Sequence, residues 1–186
     1  MELLLDAREN SERLLAMVNN LLDLARLEKG SRQLEVRPES PESLLQPAAD
    51  AIRPRAEDKG VEIVLDVPPG LPPVAVDATR LGHALRNLLD NSLTYTDRGG
   101  RITLAARADS DAVTLSVADT GIGITPEAAP HVFERFYRAD QARSREQGGF
   151  GLGLSIVKWI AESHKGTVQL SSQPGVGSTF TVLLQK

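Results

Sequence analysis

The 186-residue sequence predicts an α+β fold: a two-layer α/β sandwich, with helices on one face of a mixed sheet, preceded by a long amphipathic helix. Three observations carry this expectation. Residues 2 to about 29 hold no proline or glycine and are rich in Leu, Ala, Glu and Arg, all strong helix formers. Beyond Arg32, helical patterns alternate with β-branched strand patterns. Two pairs of strand-like runs are separated by the turn segments DSD and QPGVG.

Taken in order, the first helix carries Leu14, Val18, Leu21 and Ala25 at spacings of 4, 3 and 4, with Leu15 and Leu22 on an adjacent line. Such a stripe suits a bundle or coiled-coil partner, and Gly30 and Ser31 end it. A short strand is expected at Gln33 to Val36, then a helix near 42–58, then the strand VEIVLDV at 61–67. PPGLPP (68–73) reads as a loop, and Val74 to Val76 can pair briefly at an edge. Asp77 is placed to N-cap a helix running to about Leu93. The strands RITLAAR and AVTLSVAD follow, then an irregular region from Gly121 to Gly149 with one or two short helices. A helix over about 152–163 and the strands TVQLSS and STFTVLL complete the chain.

Composition excludes several classes. Hydrophobic residues at 41 % and charged residues at 25 % are ordinary globular values. A net charge of −4 argues against a surface built for nucleic acid. With no cysteine there is no disulfide, thiolate nucleophile or thiolate metal ligand. No apolar stretch approaches the ~20 residues of a membrane span, and no secretory leader is visible after Met1. The expected location is cytoplasmic, with any membrane attachment through regions upstream of the chain.

Four segments carry chemistry. GGFGLGL (148–154) packs four glycines ahead of a helical pattern. It is not a dinucleotide fingerprint, because its glycines alternate and no strand leads in; no Gly-Lys-Ser/Thr exists for a P-loop. A ligand-free flexible loop and a flap over an anion at the following helix N-terminus both remain open. In DATRLGHALRNLLDNSLTYT (77–96), Leu81, Leu85, Leu88 and Leu89 form the core stripe, with Ala84 beside them. Asn87 and Asn91 stand at i, i+4 on another face with Tyr95 one turn on; they either bond a neighbouring loop or offer an oxygen to a hard cation. In VADTGIGITPE (117–127), Asp119 ends a strand before Gly121 and Gly123. It caps a turn, or it accepts from an amine of a base and repels a keto oxygen. GVGSTF (175–180) alone says only that there is a turn before Ser178 and Thr179.

Together and in this order the segments resemble the N, G1, G2 and G3 boxes of the GHKL ATP-binding superfamily, in the form found in sensor histidine kinases; VFERFYRAD resembles their F box. The resemblance covers essentially the whole chain and implies the Bergerat ATP-binding fold over 32–186. It also implies that 1–31 is the second helix of the dimerisation and phosphotransfer hairpin. It carries Mg²⁺ to Asn91, nucleotide contact to Tyr95, the adenine amine to Asp119, pocket shape to Gly121 and Gly123, and a nearby place to Thr179. Gly149, Gly151, Leu152, Gly153 and Leu154 would end a lid that meets the ATP phosphates, hinged at Gly149–Gly153, with 139–150 mobile when no nucleotide is bound. Arg138 would reach the γ-phosphate. Asn87 stands where ATP-hydrolysing relatives commonly place a general-base Glu; an amide takes no proton at neutral pH, which suits transfer to an already nucleophilic imidazole.

Two departures stand out: Thr94 where the family often has Lys, and Phe150 where Thr is common. None of His83, His131 and His164 has the context of a phosphoacceptor, so that residue is expected on a helix before Met1. The implied partners are that helix, a second kinase subunit and a response regulator receiver domain, with no nucleic acid. Alternative functions are a GHKL ATPase or clamp, an anti-sigma-type serine kinase, or a nucleotide-binding pseudokinase module.

Overall fold

The computed structural model describes residues 34–138 and 151–186. The expected N-terminal helix with its leucine stripe, Gly149, Phe150, and the expected mobility of 139–150 lie outside the described residues. Along the rest, the elements are β1 (Arg37–Glu39), α1 (Pro41–Lys59), β2 (Glu62–Asp66), β3 (Val74–Val76) and α2 (Ala78–Tyr95). They continue as β4 (Arg101–Ala108), β5 (Ala112–Asp119), α3 (Gly153–Ser163), β6 (Thr167–Gln173) and β7 (Gly177–Gln185).

A five-stranded sheet runs in the order β2-β4-β5-β7-β6. β2 is parallel to β4, which requires a crossover carrying α2; the remaining pairs are antiparallel hairpins or neighbours. One face is dry. Ile102, Leu104 and Ala106 of β4, Val113, Leu115 and Val117 of β5, and Phe180, Val182 and Leu184 of β7 alternate inward and are buried. Against them lie the α2 stripe Leu81, Leu85, Leu88 and Leu89, and Ile156, Val157 and Ile160 of α3. The residues between these on the strands face the other side, which no helix covers among the described residues. The two-layer expectation therefore holds, including helices on one face of a mixed sheet.

Local signals fix the helix ends. The Ser40 hydroxyl accepts from the Ser43 amide at 3.1 Å ahead of Pro41. Gly60, at φ 74°, closes α1 with its amide on Glu57 and that of Val61 on Ala56. Pro47 and Pro54 sit inside α1 on its exposed side, where the carbonyls they leave free can meet water. Asp77 caps α2 as expected, Oδ1 accepting from the Arg80 amide at 3.1 Å. Gly82 lies within α2 with nothing within 4 Å of where a Cβ would stand. Gly82→Ala is therefore expected to raise stability by ~0.5–1 kcal/mol, read as an increased urea midpoint at unchanged m-value.

One expectation needs correction. Among the described residues the first strand begins at Arg37, and residues 34–36 of the expected strand precede it, because its register is set by pairing with β3 (Arg37 opposite Val76). The Glu35 amide instead donates to Asp77 Oδ2 at 3.2 Å. Residues 121–138, the described part of the region expected to hold one or two short helices, form successive turns; the rest of that region lies outside the described residues. Amides of Ala128, His131 and Glu134 bond three residues back, and Pro126 and Pro130 lack the donors that would carry a helix onward. Among the described residues, no helix is long and apolar enough to cross a membrane.

Candidate nucleotide site

The site is organised by α2, which lies on the sheet with one polar line at its edge. His164, at the C-terminus of α3, ties down its start. The ring Nδ1 donates to the Ile160 carbonyl at 2.8 Å, and Nε2 accepts from the Asp77 amide at 2.9 Å. Both ring nitrogens are thus engaged in structure. His131 pairs Nδ1 with Glu134 at 2.8 Å, and His83 sits in α2, its carbonyl accepting from Asn87 Nδ2 at 2.9 Å.

That bond leaves Asn87 Oδ1 facing the start of α3, where a Cβ on Gly153 would stand 3.0 Å from it. Asn87 thereby limits how closely α3 approaches α2. Asn91 is one turn further and half-buried. Tyr95, the last residue of α2, is also half-buried; its carbonyl accepts from the Ile122 amide at 3.2 Å. Thr94 turns its hydroxyl back to the Asp90 carbonyl at 2.7 Å and does not replace the expected Lys. Lys59 of α1 reaches the Leu93 and Thr94 carbonyls instead, capping α2 from behind.

Asp119 ends β5 and points to the helix side of the sheet. Oδ1 accepts from the Gly121 amide at 2.9 Å and the Ser178 amide at 3.3 Å. Oδ2 accepts from Ser92 Oγ at 3.2 Å. Burial raises its pKa above the ordinary 3.8, opposed by these three hydrogen bonds. The fold therefore favours its neutral form. Its contribution to stability is full below 3.8 and is lost as pH rises through the raised value. A carboxylate whose ionisation opposes folding marks a functional position better than a structural one.

The glycines beside it permit close backbone approach. A Cβ on Gly121 would stand 2.4 Å from the Tyr95 carbonyl oxygen and 2.9 Å from Asp119 Oδ1. Gly123, at φ 70°, lies against the β6–β7 turn, where a Cβ would meet the Gln173 carbonyl oxygen at 2.1 Å. Gly151, at φ 69°, is pressed against Phe136 and Tyr137, and its carbonyl accepts from the Phe136 amide at 2.9 Å. The segment around Phe136 and Tyr137 and the residue two before α3 are therefore in contact. Beside them Arg138 keeps Nη2 buried with no hydrogen-bond partner among the described residues. Leu152 is 1 % exposed and Leu154 packs against the core, so both serve the core with their side chains and offer a ligand chiefly backbone.

Two positions in the base region differ from the sequence reading. Thr179 pairs with Ala118 and Ser171 on the face opposite α2 and α3, one register step from Asp119, whose partner is Ser178. Strand alternation thus brings Ser178, not Thr179, to the Asp119 side, where its hydroxyl meets Ser172 Oγ at 2.9 Å. Ser92, fully buried, was also unforeseen. A signal existed: it continues the core line 81, 85, 88, 92 of α2, and a hydroxyl on a buried stripe needs a partner.

A two-layer sandwich that sets a half-buried carboxylate at the end of β5, on the helix side of the sheet and against the close-packed glycines 121 and 123, has the form of a nucleotide-binding module. The chain belongs to the HATPase_c family, the histidine kinase-, DNA gyrase B- and HSP90-like ATPases, which it matches over residues 76–186. It is 40 % identical over 174 residues to the sensor-like histidine kinase SenX3 of Mycobacterium tuberculosis, covering 94 % of this chain and 42 % of that protein. It is 40 % identical over 169 residues to sensor protein IrlS of Burkholderia pseudomallei, covering 91 % and 36 %. The chain thus spans less than half the length of these curated relatives. Among solved structures, full-length ShkA in complex with AMPPNP superposes with a TM-score of 0.83 at 35 % identity, over 95 % of this chain and 36 % of that one. The mycobacterial sensor histidine kinase MprB gives 0.69 at 31 % identity, over 80 % and 97 %. This is a histidine-kinase-type ATP-binding domain.

Proposed function

We propose that the chain binds Mg-ATP and transfers the γ-phosphoryl group to a histidine carried outside these 186 residues, for relay to the aspartate of a response regulator. In this reading 32–186 is the catalytic and ATP-binding domain. Residues 1–31 supply the second helix of the dimerisation hairpin, whose other helix and second subunit bring the acceptor. In this reading the domain works in the cytoplasm, without nucleic acid.

The observation that carries the reading is the Asp119 carboxylate. Two backbone amides saturate Oδ1 and leave an acceptor position on Oδ2 for the amine of adenine. Gly121 and Gly123 let the base approach, Tyr95 lies against the nucleotide, and Ser178 takes the place expected of Thr179. Gly149, Gly151 and Gly153, with the backbone of Leu152 and Leu154, close on the phosphates. The Arg138 nitrogen, without a hydrogen-bond partner among the described residues, fits an anion, and its planar, permanent charge suits a transferring phosphoryl group. Asn91 offers the hard oxygen that fits Mg²⁺, which when bound would neutralise phosphate charge. Asn87 cannot deprotonate water, which favours transfer over hydrolysis and disfavours the ATPase-clamp alternative. Catalysis then rests on positioning: the imidazole lone pair forms the P–N bond as the β–γ P–O bond breaks and ADP leaves.

The test supplies a separately produced acceptor hairpin with Mg-ATP and assays acid-labile, alkali-stable phosphate. Phosphohistidine should form on the hairpin, and Asn91→Ala should remove the Mg²⁺ dependence of ATP binding in calorimetry. Steady ATP hydrolysis with no histidine phosphate would overturn transfer in favour of the ATPase reading. An unaltered Mg²⁺ dependence in Asn91→Ala would overturn the metal assignment.

A further inference from the structure

We infer that Ser92 is a positioning residue for base recognition: its hydroxyl, donated to Asp119 Oδ2, fixes the carboxylate so that its last free acceptor position faces the ligand. The inference rests on the nucleotide-site reading above and adds to it a second residue that decides which base is accepted.

The hydrogen-bond inventory carries it. An ionised carboxylate offers about four acceptor positions. Gly121 and Ser178 amides take two on Oδ1, and Ser92 takes one on Oδ2. One remains, on Oδ2. Ser92 has a single hydroxyl hydrogen and 0 % exposure, so no bulk water competes for it. With that hydrogen directed at Asp119, both Ser92 Oγ and Asp119 Oδ2 present only lone pairs to any neighbouring group. An exocyclic amine is accepted there and a keto oxygen is repelled. If Ser92 instead turned its hydrogen toward a ligand, the discrimination would relax.

The same bond supports the charged form of a carboxylate whose pKa burial raises. Among the described residues, the elements packed around Asp119 bring it no ion pair. On α2 the nearby titratable group is Tyr95, and on β4 it is Arg101, whose guanidinium pairs with Glu62 at 2.8 Å. The opposing influences are burial on one side and the hydrogen bonds of Gly121, Ser92 and Ser178 on the other. Ser92 is the one side chain among those three donors, and so the one that substitution can remove. It also follows Asn91 directly in α2, so the bond to β5 holds the helix that presents the proposed metal ligand.

The test is a carboxyl-carbon NMR pH titration of Asp119 in the nucleotide-free protein, run for the parent, Ser92→Ala and Ser92→Cys. ATP calorimetry across the same pH range accompanies it, with circular dichroism to confirm folding. Removing the hydroxyl should move the Asp119 midpoint up, with the thiol, a weaker donor, in between. ATP affinity falls as pH drops through that midpoint. The acid limb should therefore shift upward in Ser92→Ala by the same interval, with about tenfold weaker binding near neutrality and a reduced preference for ATP over GTP. Because ATP's own protonation is common to all three proteins, the comparison isolates Asp119. An unmoved Asp119 midpoint in both variants, with ATP preference intact, would overturn the inference while leaving the nucleotide site standing. Full ATP affinity in Asp119→Asn would instead overturn the nucleotide-site reading on which it rests.

Discussion

Asp119→Asn should weaken ATP binding by about 10- to 100-fold, or ~1.5–3 kcal/mol, while leaving the fold in place. The geometry determines which way the new amide must sit. The Gly121 and Ser178 amides both donate to Oδ1, so the Asn carbonyl oxygen has to occupy that position. Its NH₂ then takes the place of Oδ2 and presents a donor to the donor on adenine. A purine bearing a keto oxygen meets that donor favourably, so GTP binding should improve in the variant relative to ATP. Asp119→Ala should lose ATP without that gain. Calorimetry with ATP and GTP on parent, Asn and Ala variants checks both parts. Equal losses for the two nucleotides in Asp119→Asn would refute the assignment of the carboxylate to the base.

Gly177→Ala carries the largest expected cost to the fold, about 3 kcal/mol. Gly177 opens β7 at φ 138°, and a Cβ there would stand 2.0 Å from the Asp119 carbonyl oxygen. The obstruction is backbone, so relief requires the end of β5 to move, and with it the Asp119–Ser178 pairing. Nucleotide binding should therefore be lost even at urea concentrations where the rest of the sheet persists. Gly175→Ala is the control: φ is 76°, yet nothing lies within 4 Å of its Cβ position. It should cost only the backbone strain, ~1–2 kcal/mol, and keep ATP binding. Comparable losses in the two variants, by urea denaturation and calorimetry, would show that close approach at Gly177 is not what matters.

Much of this architecture is legible in one dimension because its signals are local. The alternation of Val113, Leu115 and Val117 states which face of β5 is buried, and the spacing of Leu81, Leu85 and Leu88 does the same for α2. Asp77 before a helical pattern is a cap wherever it occurs, and it is one here. Failures came where the deciding partner is distant. The first strand is placed by β3, nearly forty residues on, and its own residues say little about where pairing begins.

The candidate site divides along the same line. Asn91, Asp119 and the glycines stand out by type and spacing, since asparagine within a helix and glycines after a strand end are conspicuous in any sequence. Ser92 and Ser178 do not, because a serine gains meaning only from what faces it. Strand register chose Ser178 over Thr179 by one residue, and with it the opposite face of the sheet.

The sequence by itself determined the two-layer fold, the family and the chemical types at the nucleotide site, because periodicity and residue chemistry are carried by each segment alone. Only the tertiary structure decided how those groups are held. Helix α2 had to dock on β5 before Ser92 could reach Asp119, and β7 had to pair in register before its amide could. A hydrogen bond between elements 27 or 59 residues apart depends on distances that no local pattern encodes.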